Sequence, residues 1–247
     1  GKDAFRIRNP ETALATLREA VRLAQTPPCG PVSIEIPIDV QKMMLDLPAD
    51  ISPVAVAPVQ PNLAAVDLLA ERLAQAKRPL LWLGGGARGA TEAVARFVKL
   101  GFAVVTSVQG RGIVAEDHPQ TLGSYNLQKP AEQFYETVDA MLAVGTRLRS
   151  NETLNYKLKL PTRRFRIDAN TLAENRGYTS ELFVHGDAEI TLNALADRLE
   201  GRMQIDPRLV ADVKRTRAEA ASLVDGTLGQ YSKLKNTLGE VVGKNLW

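Results

Sequence analysis

The sequence predicts an α/β fold: a parallel sheet of five to six strands with helices on both faces. Three observations predict it. Between residues 62 and 201, strand-like runs alternate with amphipathic helical stretches. The runs PLLWL, AVVT and AMLAV are apolar throughout rather than at every second position, as strands covered on both faces are. A glycine cluster, Gly84-Gly85-Gly86, stands where the first of these runs turns into a helix.

Taken in order, residues 10–25 open with Asn9-Pro10, a cap and first-turn pair, and carry Leu14, Leu17, Val21, Leu23 and Ala24 at helical spacing. Thr26-Pro27-Pro28 ends that helix, and VSIEIPID (32–39) reads as a strand. One helix and one strand cannot bury both their faces, so this pair is expected to belong to a larger sheet. From 46 to 61, DLPADISPVAVAPVQP is proline-rich and lacks an amphipathic period; it reads as an extended linker and domain boundary. Residues 62–76 then form a helix with Leu63, Val66, Leu69 and Leu73 on one face. RPLLWLG is a strand, GATEAVARFVKLG a helix closed by Gly101, and AVVTS (103–107) a strand. A long loop, 108–128, has room for a sixth strand. PAEQFYETV is a helix; AMLAVGTRL (140–148), RRFRID (163–168) and ELFVHGD (181–187) are strands; AEITLNALADRLEG (188–201) closes the unit as a helix. Beyond Gly201, residues 207–226 form a charged helix, and LGQYSKLKNTLGEVVGKNLW begins a further element.

The composition is that of an ordinary globular protein: 247 residues, 45% apolar, 24% charged and a net charge of +3. The basic residues are too dispersed for a nucleic-acid surface, and the densest cluster, Arg163-Arg164-Phe165-Arg166, reads as a solvated strand entrance. A single cysteine, Cys29, allows no internal disulfide, and no window is apolar enough for a membrane span. A cytoplasmic location is expected.

The glycine run leaves several readings open. Gly84, Gly86 and Gly89 fit G-x-G-x-x-G by letters alone, and the second strand ends in Thr106, Ser107 and Gln109 with no acidic residue for a ribose. The turn is either a tight strand–helix connection or a cradle whose backbone N–H groups face a phosphate. Arg147 and Asp168 stand at two further strand ends. Together they supply a cation for phosphates and a carboxylate for a ribose hydroxyl; singly, each is as well read as an ion-pair partner or a helix cap. His118 and His185 have no partners at metal-ligand spacing, so no metal site is assigned.

Several stretches together resemble thiamine diphosphate-dependent enzymes of the acetolactate synthase-like superfamily. TPPCGPVSIEIPIDVQ is similar to the last helix–strand of their pyrimidine-binding domain. RPLLWLGGGARGA, TSVQGRGIVAEDHPQTLGSY, AMLAVGTRL and RIDANTLAENRGY…ELFVHGDAEITLNAL follow the landmarks of their central domain in order. The resemblance implies a Rossmann-like, DHS-like central domain over 62–201. It implies the end of the pyrimidine-binding domain over 1–45, the interdomain linker at 46–61, and the approach to the diphosphate-binding domain over 202–247. The chain is then expected to be a fragment.

The family binds thiamine diphosphate between domains of neighbouring subunits. A glutamate of the first domain activates the cofactor, and a G-D-G followed by an asparagine holds Mg²⁺ and diphosphate. Neither is expected within these residues: the glutamate would lie before Gly1, and Gly186-Asp187 is followed by Ala188. The expectation is a homo-oligomeric 2-oxo acid decarboxylase or carboligase in which this segment has no catalytic residues and its partners are the other domains. The central crevice of the family holds FAD, ADP or nothing, and Gly84, Gly85, Gly86, Arg147 and Asp168 match its FAD-binding landmarks. One departure stands out: where FAD-binding members continue the arginine with Phe-Asp, this chain has Leu148-Arg149-Ser150-Asn151. A free-standing nucleotide-binding module, as sensor or electron-transfer subunit, is the alternative, and a purely structural oligomerisation domain a third.

Overall fold

The computed structural model describes residues 1–174 and 176–242 and divides between Gln60 and Pro61 into two units. In the first, β1 (Asp3–Arg6) pairs in parallel with β2 (Val32–Glu35), with Asp3 opposite Val32. Between them runs α1 (Ala13–Gln25), entered through a 3₁₀ turn at Pro10–Thr12 whose Asn9 side chain accepts from the Thr12 N–H at 3.1 Å. Thus the expected lone strand has one parallel neighbour, β1. The short, charge-flanked DAFR carries no periodic signal. Arg18 Nη2 donates to the carbonyls of Asp50 and Ser52, fastening the start of the proline-rich stretch to α1.

The second unit contains the sheet. It begins with α2 (Leu63–Leu73), where the Asn62 side chain accepts from Ala64 N–H at 2.9 Å. Then follow β3 (Pro79–Leu83), a 3₁₀ stretch at Gly85–Ala90, α3 (Thr91–Lys99), β4 (Ala103–Thr106), α4 (Lys129–Tyr135) and β5 (Ala140–Val144). The chain continues with β6 (Arg164–Asp168), β7 (Leu182–His185), α5 (Ala188–Leu199), α6 (Leu209–Leu228) and α7 (Tyr231–Val242). All five strands are parallel, in the order β4-β3-β5-β6-β7. No sixth strand forms in the loop after β4. Thr121 makes one isolated parallel bridge to Val104, while Gly112 and Gly123, at φ of 86° and 62°, turn the chain out of extended geometry on either side.

Strand residues alternate between two cores, which is what sandwiches the sheet between helices. Leu81, Leu83, Val104, Leu142, Val144, Phe165 and Ile167 face α2, α3 and α5; Leu80, Trp82, Val105, Met141 and Ala143 face α4 and α6. Each large apolar side chain withdrawn from water contributes roughly 1.5–3 kcal/mol, so the two layers dominate the stability of the unit. On the second face Trp82 and Tyr135 pack with ring centroids 5.9 Å apart, and the Tyr135 hydroxyl donates to Asn126 O at 2.8 Å. Burial pushes that phenol far above its ordinary pKa. At the strands' amino ends, Arg78 bonds Asp206 at 2.7 Å and Asp212 at 2.8 Å, pinning α6 to the sheet.

A candidate nucleotide crevice at the strand switch point

From β3 the chain moves to β4 on one side of the sheet and returns to β5 on the other. The carboxyl ends of β3 and β5 therefore flank the point where the winding reverses, the usual ligand crevice of an open α/β sheet. The three glycines follow β3; Gly145, Thr146 and Arg147 follow β5.

The two turns lie backbone to backbone. Gly84 N–H donates to Val144 O at 2.9 Å, and Gly86 N–H donates to Gly145 O at 3.0 Å. A Cβ on Gly84 would stand 2.6 Å from Thr146 Cα and closer still to Gly145 O; one on Gly86 would stand 2.8 Å from Gly145 Cα. Gly145 itself has φ of 56°, and a Cβ there would come within 2.6 Å of Gly86. Gly85 is less constrained, its hypothetical Cβ meeting Gln109 Cβ at 3.1 Å and the Gln109 carbonyl oxygen at 3.6 Å, and Gly89 has nothing within 4 Å. Glycine is thus required at 84, 86 and 145 by close approach. The N–H groups of Gly84, Gly86 and Ala87 all donate to carbonyls of the protein, so these amides are not available to a phosphate.

What the crevice presents to an anion is guanidinium. Arg88, Arg147 and Arg149 line it together with Gly85, Gly86 and Glu152, around a volume of about 330 Å³. Arg147 and Arg149 are exposed, while Arg88 is steadied by an Nε bond to Gln109 O at 2.7 Å. Three cations against one carboxylate favour a phosphate-bearing ligand.

Of the residues singled out in the sequence, Gly85, Gly86 and Arg147 line this crevice, and Gly84 lies buried beneath it. Asp168 ends β6, outside the lining, where its Oδ1 accepts from Asn170 N–H at 2.8 Å. Burial raises its pKa, opposed by that hydrogen bond and by the charges of Arg166, Arg147 and His185. The neighbouring Arg166 is only 1% exposed. Its guanidinium donates to Ala173 O and holds the segment after β6, so the last arginine of this basic cluster is buried rather than part of a solvated strand entrance, while Arg163 and Arg164 are partly exposed. Burial lowers its pKa.

Asp187 caps α5, accepting from Glu189 N–H at 2.9 Å and Ile190 N–H at 3.2 Å. His118 and His185 make local contacts to Gln120 N–H and Ala169 O. Among the described residues no group of three His, Cys, Asp or Glu is placed to hold a metal ion, and no helix is long and apolar enough to cross a membrane.

Residues 66–195 match the family described as thiamine pyrophosphate enzyme, central domain. The chain belongs to this family. The chain is 36% identical over 193 residues to the probable 2-ketoarginine decarboxylase of Pseudomonas aeruginosa, covering 76% of this chain and 34% of that protein. It is 28% identical to the probable acetolactate synthase large subunit of Methanococcus aeolicus, over 81% of this chain and 35% of that protein. With the pyruvate oxidase of Lactiplantibacillus plantarum it shares 32% identity, over 71% of this chain and 30% of the other. A solved structure from Mycobacterium smegmatis, described as thiamin diphosphate-dependent, superposes with a TM-score of 0.60 at 27% identity, over 83% of this chain and 39% of that one. The chain spans about a third of the length of these curated relatives.

Sequence reading missed Glu152. It lies in a 3₁₀ stretch, Ser150–Glu152, beyond a buried Leu148 at φ of 44°. Only the fold of this connection brings its carboxyl to the crevice, and no local pattern marks it.

Proposed function

We propose that this chain is the central domain of a thiamine diphosphate-dependent enzyme that decarboxylates or ligates a 2-oxo acid, and that its crevice binds FAD or ADP. The activities named for the relatives support the first part. The observation that carries the second is the set of three arginines at the switch point between β3 and β5, converging on about 330 Å³. That volume falls at the lower end of the range of small-molecule sites, about 300–1,000 Å³.

Thiamine diphosphate, when bound, supplies the electron sink for breaking the bond to the departing carboxylate. This chain's residues do not fit that cofactor. Asp187, the one aspartate that follows a glycine, caps a helix, and no asparagine follows at the required spacing. Catalytic residues, Mg²⁺ ligands and substrate contacts are assigned to the pyrimidine- and diphosphate-binding domains of the same enzyme, assembled as a homo-oligomer in the cytoplasm. The role of this domain is to space those domains and to hold the nucleotide.

Two experiments test the proposal. The complete enzyme containing this domain, given thiamine diphosphate and Mg²⁺, should release CO₂ from at least one of a panel of 2-oxo acids; no release from any refutes the catalytic assignment. Equilibrium dialysis of the 247-residue chain should show FAD or ADP bound, more weakly as salt rises and more weakly in Arg147→Ala. No binding of either at about millimolar ligand, far weaker than the usual nucleotide affinity, refutes the crevice assignment.

A further inference from the structure

Glu152 is 6% exposed and lies in the crevice wall. Among the described residues its carboxylate makes no salt bridge and accepts no hydrogen bond; its backbone N–H alone is bonded, to Arg149 O at 2.9 Å. Arg147 and Arg149 line the same crevice, yet neither stands within 4.0 Å of it, the limit for an ion pair. A carboxylate so far withdrawn from water and left without a partner is costly, and the small part still accessible opens where a ligand would sit.

We infer that Glu152 selects hydroxyl-bearing ligands: the crevice takes a nucleoside diphosphate whose phosphates lie among Arg88, Arg147 and Arg149 and whose ribose hydroxyls donate to the Glu152 carboxylate. This rests on the crevice assignment above and adds its specificity. An ionised carboxylate only accepts hydrogen bonds, so it gains from a sugar hydroxyl and repels a bare phosphate. Glu152 therefore favours a nucleotide over inorganic pyrophosphate, although the arginines attract both. It also supplies an acidic group on the side of the crevice where Leu148-Arg149-Ser150-Asn151 has none. Asp168 is less suited to the task, because its Oδ1 already holds Asn170 and it does not line the crevice.

The test measures dissociation constants of the 247-residue chain for ADP, 2′,3′-dideoxy-ADP and inorganic pyrophosphate, in wild type, Glu152→Gln and Glu152→Ala. Circular dichroism accompanies each variant to establish folding. A hydrogen bond to a charged group is worth a factor of about ten or more. Wild type should bind ADP about tenfold tighter than the dideoxy analogue. Glu152→Ala should lose that discrimination while binding pyrophosphate as well as or better than wild type, and Glu152→Gln should fall between. If wild type binds ADP but does not distinguish the dideoxy analogue, or if Glu152→Ala and Glu152→Gln keep the discrimination, the role of Glu152 is overturned and the crevice assignment stands. If wild type binds none of the three, the role of Glu152 falls, and the crevice assignment falls with it only if FAD also fails to bind.

Discussion

Replacing Gly84 with alanine should unfold the crevice from its floor. The backbone there, φ −106° and ψ −175°, suits any L-residue, so the cost comes entirely from contact. The new methyl would lie 2.6 Å from Thr146 Cα, against an optimum of about 3.5–4.0 Å between carbons, so the β5 turn must retreat by about 1 Å. Overpacking of this kind costs about 1–3 kcal/mol. The retreat also weakens the bonds from Gly84 to Val144 O (2.9 Å) and from Gly86 to Gly145 O (3.0 Å), each worth about 1 kcal/mol. The total is about 3–5 kcal/mol, or a fall in melting temperature of about 10 °C for a unit of this size. Thermal unfolding followed by the fluorescence of the buried Trp82 measures it, with Gly89→Ala as control, since nothing lies within 4 Å of a Cβ there. A Gly84→Ala melting temperature within about 2 °C of wild type would refute the reasoning, because a gap that small corresponds to less than about 1 kcal/mol.

Three further outcomes are expected. Phe97 is fully buried and packs edge-on against Phe102 at 5.1 Å, so Phe97→Ala should cost about 3–5 kcal/mol in urea unfolding. Asp206 is held below the usual carboxylate range by its bonds from Arg208 and then Arg78, and Asp212 by Arg78; their stabilisation is present above the unfolded value, about pH 4, and lost as pH falls through the folded values. Arg78→Met should therefore flatten the acid limb of a stability–pH curve, and an unchanged limb would contradict this. Asp168 has the opposite sign: burial raises its pKa, so its charge opposes folding once pH exceeds about 4. Asp168→Asn, which keeps the acceptor for Asn170, should raise the melting temperature slightly at neutral pH and leave it unchanged at about pH 3.

The large unit was legible because its strands are apolar throughout and its helices amphipathic; both are local signals. What escaped reading depends on partners distant in sequence. DAFR is a strand only because Val32–Glu35 offers it an edge. Loop 108–128 touches the sheet only through the bridge at Thr121 and adds no strand, because glycines turn it, though its composition permits one. The glycine run lies at the switch-point crevice, but its letters could not tell a phosphate cradle from a packing surface. The residues opposite it decide that, since the bonds go to Val144 and Gly145. Glu152 had no signal, because its burial arises from the path of the chain after Leu148.

The central position of β3 has a kinetic consequence. Its first neighbour, β4, is close in sequence, but its second, β5, arrives only after the long loop and α4, so the β3–β5 pairing closes a larger loop and is expected to form after β3–β4. The wall contributed by Gly145, Thr146 and Arg147 does not exist until that docking is complete. A ligand of the crevice therefore recognises only the finished sheet. Through mass action it must slow unfolding or raise the melting temperature in proportion to the logarithm of its concentration, giving a reporter of occupancy that needs no enzymatic turnover.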